Sequence, residues 1–180
     1  IEAARCNNHQ EVLLIEAGAR DGELPLSFAQ ARLWFLDQLE GESATYNIPV
    51  ALKIVGSLNV HALEQSLTEI VRRHETLRTT FPIVNGSAVQ VIAQKQTVKV
   101  PVVDLQLPEE EQSALVRQLA TKEAHLPFDL ALGPLLRATL LQLEKESHVL
   151  LVTMHHIVSD GWSMGIFIRE LGTLYEAAST

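Results

Sequence analysis

Cysteine is almost absent. Cys6 is the single thiol in 180 residues, which excludes an internal disulfide, a CxxC site and the disulfide-rich secreted class, and fits a reducing cytoplasm. Positive charge is scarce too: 14 Lys+Arg stand against 22 Asp+Glu, a formal charge of −8. The adjoining arginines Arg72, Arg73 and Arg78 make no basic stripe, so a phosphate backbone finds no counter-charge and no nucleic-acid partner is expected. Long hydrophobic runs are missing as well. Although 47 % of the residues are apolar, the longest run, Val149 to Met154 with Thr153 inside it, falls far short of the ~20 residues that span a bilayer. A soluble, cytoplasmic protein without a membrane partner is expected. No repeat or low-complexity tract occurs. The chain begins at Ile1 without an initiator Met or an apolar leader and stops at Ala-Ala-Ser-Thr after a helical pattern, which reads as one domain cut from a longer protein.

Residues 1–24 mix the apolar stretch Val12 to Ile15 with Gly18, Asp21 and Gly22, and Pro25 closes them; an inter-domain linker is expected there, with the domain over 25–180. Ser27 and Gln30 stand three apart as in a capping box, and Leu33, Leu36 and Leu39 recur up to Gly41, predicting a helix over 28–39. Ile48, Val50, Leu52 and Ile54 alternate with Pro49, Ala51 and Lys53, the period of a half-buried strand ending at Gly56. Asn59 can cap a second helix whose buried stripe is Leu63, Leu67 and Ile70. Two short strands, Thr80 to Val84 and Ala88 to Ala93, flank the turn dipeptide Asn85-Gly86. Val98, Val100 and Val102 alternate as another strand.

Pro108, at a first helical position, precedes Glu109, Glu110 and Glu111, whose carboxylates suit the positive end of a helix running to about Glu123. That makes the glutamate run a dipole match rather than a metal site. Strands over 135–143 and 148–154, joined by the charged turn Glu144 to Ser147, form a hairpin whose second strand is apolar enough to be central. Trp162 to Ala177 is a helix with Phe167, Leu171 and Leu174 on one face. This order gives an α/β layered domain, a mixed sheet packed with helices, rather than a strict βαβ repeat.

Chemistry concentrates after Met154, in His155-His156-Ile157-Val158-Ser159-Asp160-Gly161. Adjacent strand residues point to opposite faces, so one histidine enters the core or braces the loop while the other can face a cleft. An imidazole titrating near neutrality can take a proton from an amine or hydroxyl, or donate to an oxyanion. Asp160, if directed inward, calls for an arginine partner, and Gly161 would let the backbone turn tightly and leave space above the site. The bland alternative is a satisfied core histidine pair. A metal held by His156 and Asp160 at i, i+4 needs a helix that the strand and Gly161 oppose, and no third ligand is near. Gly161-Trp162-Ser163-Met164-Gly165 matches G-x-S-x-G, but a nucleophile elbow needs its Asp and His later in the chain, and neither follows Ser163. Cys6, in a linker, is a poor nucleophile candidate.

Met154 to Ser163, in the form MHHxxSDGWS, resembles the HHxxxDG signature of condensation domains from nonribosomal peptide synthetases, a signature shared with other acyltransferases of the chloramphenicol acetyltransferase type. Ser27 to Leu39 is similar to the family's opening motif, SxAQxRLWxxxQL, and Arg73 to Phe81 to its second, RHExLRTxF. Even Arg20 to Leu26 is similar to the linker that follows an upstream carrier domain. The resemblance implies one lobe, the N-terminal, of a V-shaped molecule of two chloramphenicol acetyltransferase-like lobes, the C-terminal lobe being absent.

It implies an acyltransferase of secondary-metabolite biosynthesis that forms a peptide bond between a donor acyl or peptidyl thioester and an acceptor aminoacyl thioester. Both are tethered by phosphopantetheine to upstream and downstream peptidyl carrier domains, and the domain itself binds no cofactor and no metal. His156 matches the catalytic second histidine, as general base or as a group that positions the amine; Asp160 matches a structural aspartate, paired here with Arg78; His155 and Gly161 fall to loop architecture and access. Ser27 and Gln30 are expected in a capping box, Trp34, Phe35 and Leu77 in the core, and His74 as a hydrogen-bonded structural histidine. His9, His61, His125 and His148 belong to no constellation.

A cyclising subtype is excluded because it replaces both histidines with aspartates, and an epimerising relative usually differs in the first motif. An epimerisation-type relative, another HHxxxDG acyltransferase, or a catalytically silent docking lobe for carrier domains stays open as an alternative. The lobe alone is expected to be inactive, with an apolar face that self-associates: light scattering of this chain should show the average mass rising with concentration, and a constant monomer mass counts against it.

Overall fold

Two spacings, alternation in strands and a three-to-four repeat in helices, bring the apolar residues onto one sheet and its two faces. The computed structural model describes residues 22–41 and 43–179; most of the expected linker, with Cys6 and His9, lies outside them. In chain order the elements are β1 (Leu24–Pro25), α1 (Phe28–Glu40), β2 (Asn47–Val55), α2 (Val60–Arg73), a 3₁₀ turn (Glu75–Arg78), β3 (Thr79–Thr80), β4 (Ile83–Val84), β5 (Ser87–Ile92), β6 (Val102–Asp104), α3 (Glu109–His125), β7 (Leu136–Glu144), β8 (Ser147–His155) and α4 (Gly161–Ser179).

The main sheet has the order β2-β8-β7-β6. β8 is antiparallel to β2 from Asn47↔His155 to Val55↔Ser147 and antiparallel to β7, with a register shift between Gln142 and Glu144. β6 runs parallel to β7, so the sheet is mixed. Every residue of β8 from Leu150 to His155 is buried, as a strand covered on both faces requires. β2 keeps its strict alternation and lies at the sheet edge, where Pro49 needs no ladder partner on its open side.

Helices cover both faces. On one, Leu63, Leu67 and Ile70 of α2 and Met164, Phe167 and Leu171 of α4 pack on Leu136, Leu140, Leu150, Val152 and Met154. On the other, Leu115, Val116 and Leu119 of α3 pack on Leu105, Leu141 and Leu151. The caps follow the sequence: Ser27 and Gln30 form the reciprocal box of α1, and the Asn59 side chain accepts from the Ala62 N–H. Among the described residues no helix is long and apolar enough to cross a membrane.

A smaller sheet gathers β1, β3 and β4 around β5. Its hairpin turns at Asn85 and Gly86, both with positive φ (51° and 81°), the geometry for which Asn-Gly is suited. The expected strand from Thr80 to Val84 is broken because Phe81 sends its N–H to the Leu130 carbonyl.

Three further expectations about the fold need correction. The alternation Val98, Val100, Val102 becomes a strand only from Val102. Before it, the Val98 N–H goes to Thr68 Oγ1 (3.1 Å) and the Val100 N–H to Glu64 Oε1 (3.0 Å), so α2 side chains replace a strand partner. The Val100 N–H, and after it Lys99, hold the Glu64 carboxyl below the usual carboxylate range. Pro108 sits one residue earlier than expected, at the N-cap of α3 with ψ 142°, and the helix runs on to His125. Phe35 is not core: it is 60 % exposed, with Phe28 and Leu39 also exposed on α1.

Leu150 is wholly buried in the central strand. Leu150→Ala should lower unfolding free energy by about 2–5 kcal/mol, read from urea denaturation; a loss under about 1 kcal/mol would show that the site collapses around the smaller side chain.

Candidate active site

β8 carries its alternation to the last residue, and this sorts the two histidines. Thr153 and His155 point to the α3 side while Met154 joins the α2/α4 core. His155 is 1 % exposed and is bracketed edge-on by Tyr46 (6.4 Å between centroids) and Phe128 (6.1 Å). Its Nδ1 accepts the Ile157 N–H at 3.1 Å, so the neutral ring carries its proton on Nε2. Burial, then the charge of neighbouring His156, push its pKa down to about 4. His155 is therefore a neutral internal brace.

His156 is exposed. Its N–H donates to the Tyr46 carbonyl at 2.8 Å, which holds the turn where β8 ends. Its Nδ1 lies 2.8 Å from the Ser159 carbonyl. A carbonyl oxygen can only accept, so Nδ1 carries the proton and the neutral ring keeps its lone pair on Nε2. No protein group among the described residues hydrogen-bonds Nε2. The two adjacent imidazoles are thus opposite tautomers when neutral, one buried and one exposed with no protein partner at Nε2 among the described residues.

The next residues start α4. Asp160 Oδ1 accepts the Ser163 N–H (2.8 Å), and Ser163 Oγ accepts the Asp160 N–H (2.8 Å), a reciprocal cap. The Ser163 N–H, its hydroxyl, the Trp162 N–H and the charge of His156 hold the exposed Asp160 carboxyl below its ordinary range. The expected pairing of Asp160 with Arg78 is corrected by this cap: Asp160 faces outward and its charge is met by the helix N-terminus. Arg78 lies elsewhere, donating to the Ala93 carbonyl and reaching Glu75 at 3.4 Å. Gly161 does not use a left-handed φ, but a Cβ there would meet nothing within 4 Å, which leaves the space above the loop open. Ser163 lies in a helical first turn, its hydroxyl donating to the Asp160 carbonyl at 3.0 Å, and so lacks the strand-to-helix elbow of a serine hydrolase.

Residues far apart in sequence meet behind the loop. A cavity of about 100 Å³ brings His74 and Leu77 against Met154, Ser159 and Ser163. His74 bonds Glu170 at 2.9 Å, tying the end of α2 to α4 as a structural histidine should. Trp34 Nε1 donates to the Phe81 carbonyl and Leu77 is buried. His61 bonds Gln65 and His125 the Thr121 carbonyl; His148 is buried in β8. No group of three or more metal-ligating side chains occurs among the described residues. Sequence reasoning missed Tyr46 and Phe128 around His155, and the Ser159 carbonyl that sets the His156 tautomer. Neither aromatic stands at a spacing that announces it.

The family described as Condensation domain matches residues 20–180. A component protein of the linear gramicidin synthase of Brevibacillus parabrevis is 57 % identical over 161 residues, 89 % of this chain and 2 % of that protein. Malpinin synthetase of Mortierella alpina is 48 % identical over 177 residues, 98 % of this chain and 2 % of the other. Among solved structures, the X-domain in its complex with OxyB from teicoplanin biosynthesis superposes with a TM-score of 0.80 at 35 % identity, over 91 % of this chain and 35 % of that one. The starter condensation domain of rhizomide synthetase gives 0.78 at 26 % identity, over 87 % and 38 %. The chain thus spans a few hundredths of these curated relatives and about a third of these solved chains.

A depressed His155 pKa has a pH consequence. The unfolded chain binds this proton near the ordinary value of ~6.5 and the fold only near 4, so between them the unfolded state holds more protons. Stability is complete above the unfolded value and falls as the pH drops towards 4, by up to about 3 kcal/mol. His155→Asn keeps an acceptor near the position of Nδ1 and does not titrate. Urea unfolding from pH 7 to 4.5 should give the variant the shallower loss; parallel curves would remove His155 as the cause.

Proposed function

We propose, for a chain that belongs to the condensation-domain family of nonribosomal peptide synthetases and shares its chloramphenicol acetyltransferase-like α/β fold, that residues 25–180 form the N-terminal lobe and that His156 is the base for amide-bond formation. Condensation domains of these synthetases act on substrates held by carrier domains and form peptide bonds. The reading adds here a donor acyl or peptidyl thioester, an acceptor aminoacyl thioester, a C-terminal lobe that closes the channel, and carrier domains upstream and downstream as partners.

One observation carries it: an exposed imidazole at the end of the central strand with Nδ1 tied to the Ser159 carbonyl and Nε2 free. The acceptor amine attacks the donor carbonyl carbon, a C–N bond forms and the carbonyl pair moves to oxygen. His156 Nε2 takes the proton that the nitrogen sheds. When the C–S bond breaks, the pair leaves on sulfur and the imidazolium returns the proton to it. The Ser159 carbonyl stabilises the Nδ1–H throughout and keeps the ring from turning away. Tethering of both substrates supplies effective concentration, and a two-walled channel supplies alignment. Since one wall lies in the other lobe, this chain alone forms no product.

The test is a condensation assay with donor and acceptor loaded on carrier domains. It compares the two-lobe unit, the same unit with His156→Ala, and this chain by itself. His156→Ala should lose a factor of about 10²–10⁴ and the single lobe should make no product. Full activity in His156→Ala would return the histidines to a structural role and leave the docking-lobe alternative standing.

A further inference from the structure

Arg137 lies within β7 on the face that α3 covers, opposite Thr153 of β8. An arginine beneath a helix is costly unless its donors are met, and here they are. Nε donates to Glu123 Oε1 (2.7 Å), Nη1 to the Pro127 carbonyl (3.0 Å), and Nη2 to the carbonyls of Glu123 (3.2 Å) and Leu126 (2.8 Å). Its guanidinium carbon stands 3.7 Å from the Phe128 ring centroid. From β2, Asn47 Nδ2 donates to the carbonyls of Ala124 and Leu126, both at 2.8 Å. Two side chains of the sheet thus take up the carbonyls of Glu123, Ala124, Leu126 and Pro127, at and just past the end of α3, where the helix supplies few partners of its own; Glu123 alone of the four also accepts a backbone N–H there, from Leu126.

We propose that Arg137 and Asn47 form a clasp that positions His156, and that its effect travels through the residues next to it, Phe128 and Tyr46; this rests on the assignment of His156 above. Phe128 follows Pro127 directly, and its ring packs edge-on against His155, which receives the Ile157 N–H. Tyr46 precedes Asn47, and its carbonyl receives the His156 N–H. The two hydrogen bonds that turn the chain out of β8 therefore each lie one side-chain contact or one peptide bond from the clasped segment. Arg137 suits this place because its planar fork fixes several carbonyls at once while its face rests on an aromatic ring, which an ammonium cannot do.

Arg137→Lys keeps the charge and removes the fork; Asn47→Ala opens the clasp from the other strand. Nitrogen-15 NMR of the histidine rings in this chain reads the result without reference to catalysis. The wild type should show Nδ1–H on His156 and Nε2–H on His155. In either variant the His156 Nδ1–H signal should exchange roughly tenfold faster or more, and in the two-lobe unit kcat should fall roughly tenfold or more with KM within about twofold. Leu119→Ala, which loosens α3 through its packing on the sheet, should leave the ring signal and kcat unchanged. A folded Arg137→Lys with wild-type ring signals overturns the clasp, as does Leu119→Ala giving the same change. Altered rings with an unaltered rate, in a unit that still requires His156, overturn the positioning role; a unit indifferent to His156→Ala overturns the assignment on which it rests, and the ring signals tell these cases apart.

Discussion

Side chains alternate across a strand, and at the end of β8 this constraint divides two identical residues into different chemical species. Had β8 paired one residue out of register, both imidazoles would face other surroundings. As it is, the pleat sends His155 towards Tyr46 and Phe128 and leaves His156 beyond the last ladder pair, pinned by the Tyr46 carbonyl. The dry environment makes one ring a neutral acceptor for a backbone N–H; the carbonyl of Ser159 fixes the Nδ1 proton of the other. Neither property belongs to histidine as such. The first belongs to the sheet, the second to the loop that leaves it.

The division is stable because the strand before it is buried on both sides. β8 packs on α2 and α4 through Leu150, Val152 and Met154 and on α3 through Leu151, so its terminus cannot drift without breaking two apolar layers at once. α4 starts five residues after His156 and is capped by Asp160 and Ser163. The loop between strand and helix is accordingly held at both ends, and the space over Gly161 stays open because the turn needs no side chain there.

Much of this is legible in the sequence wherever the controlling contact is local. Ser27 with Gln30, Asn59 with Ala62, the Asn-Gly turn and the alternation of Ile48 to Ile54 involve partners within a few residues, and each appears where spacing puts it. The apolar run of β8 announces a central strand, and the pleat announces that the histidines must part. What escapes depends on distance. The backbone N–H groups of Val98 and Val100 find Thr68 and Glu64 on α2, a choice no valine alternation records. Asp160 has two ways to settle its charge, a buried arginine or a helix terminus, and the spacing to Ser163 decides for the second. Phe35 suggests a core position by its type alone, and the stripe it shares on α1 is exposed.

The hairpin of β7 and β8 separates two kinds of tolerance to insertion and deletion. Its charged turn lies eight residue steps from His155, on the order of 26 Å along the strand, and the shift in pairing between Gln142 and Glu144 shows that a surplus residue can be absorbed there without altering the pairs nearer the site. Length variation among homologous chains should therefore collect at this turn. Between Leu150 and His155 a single inserted or lost residue would instead reverse which surface each histidine meets, so that segment can diverge in composition but not in parity.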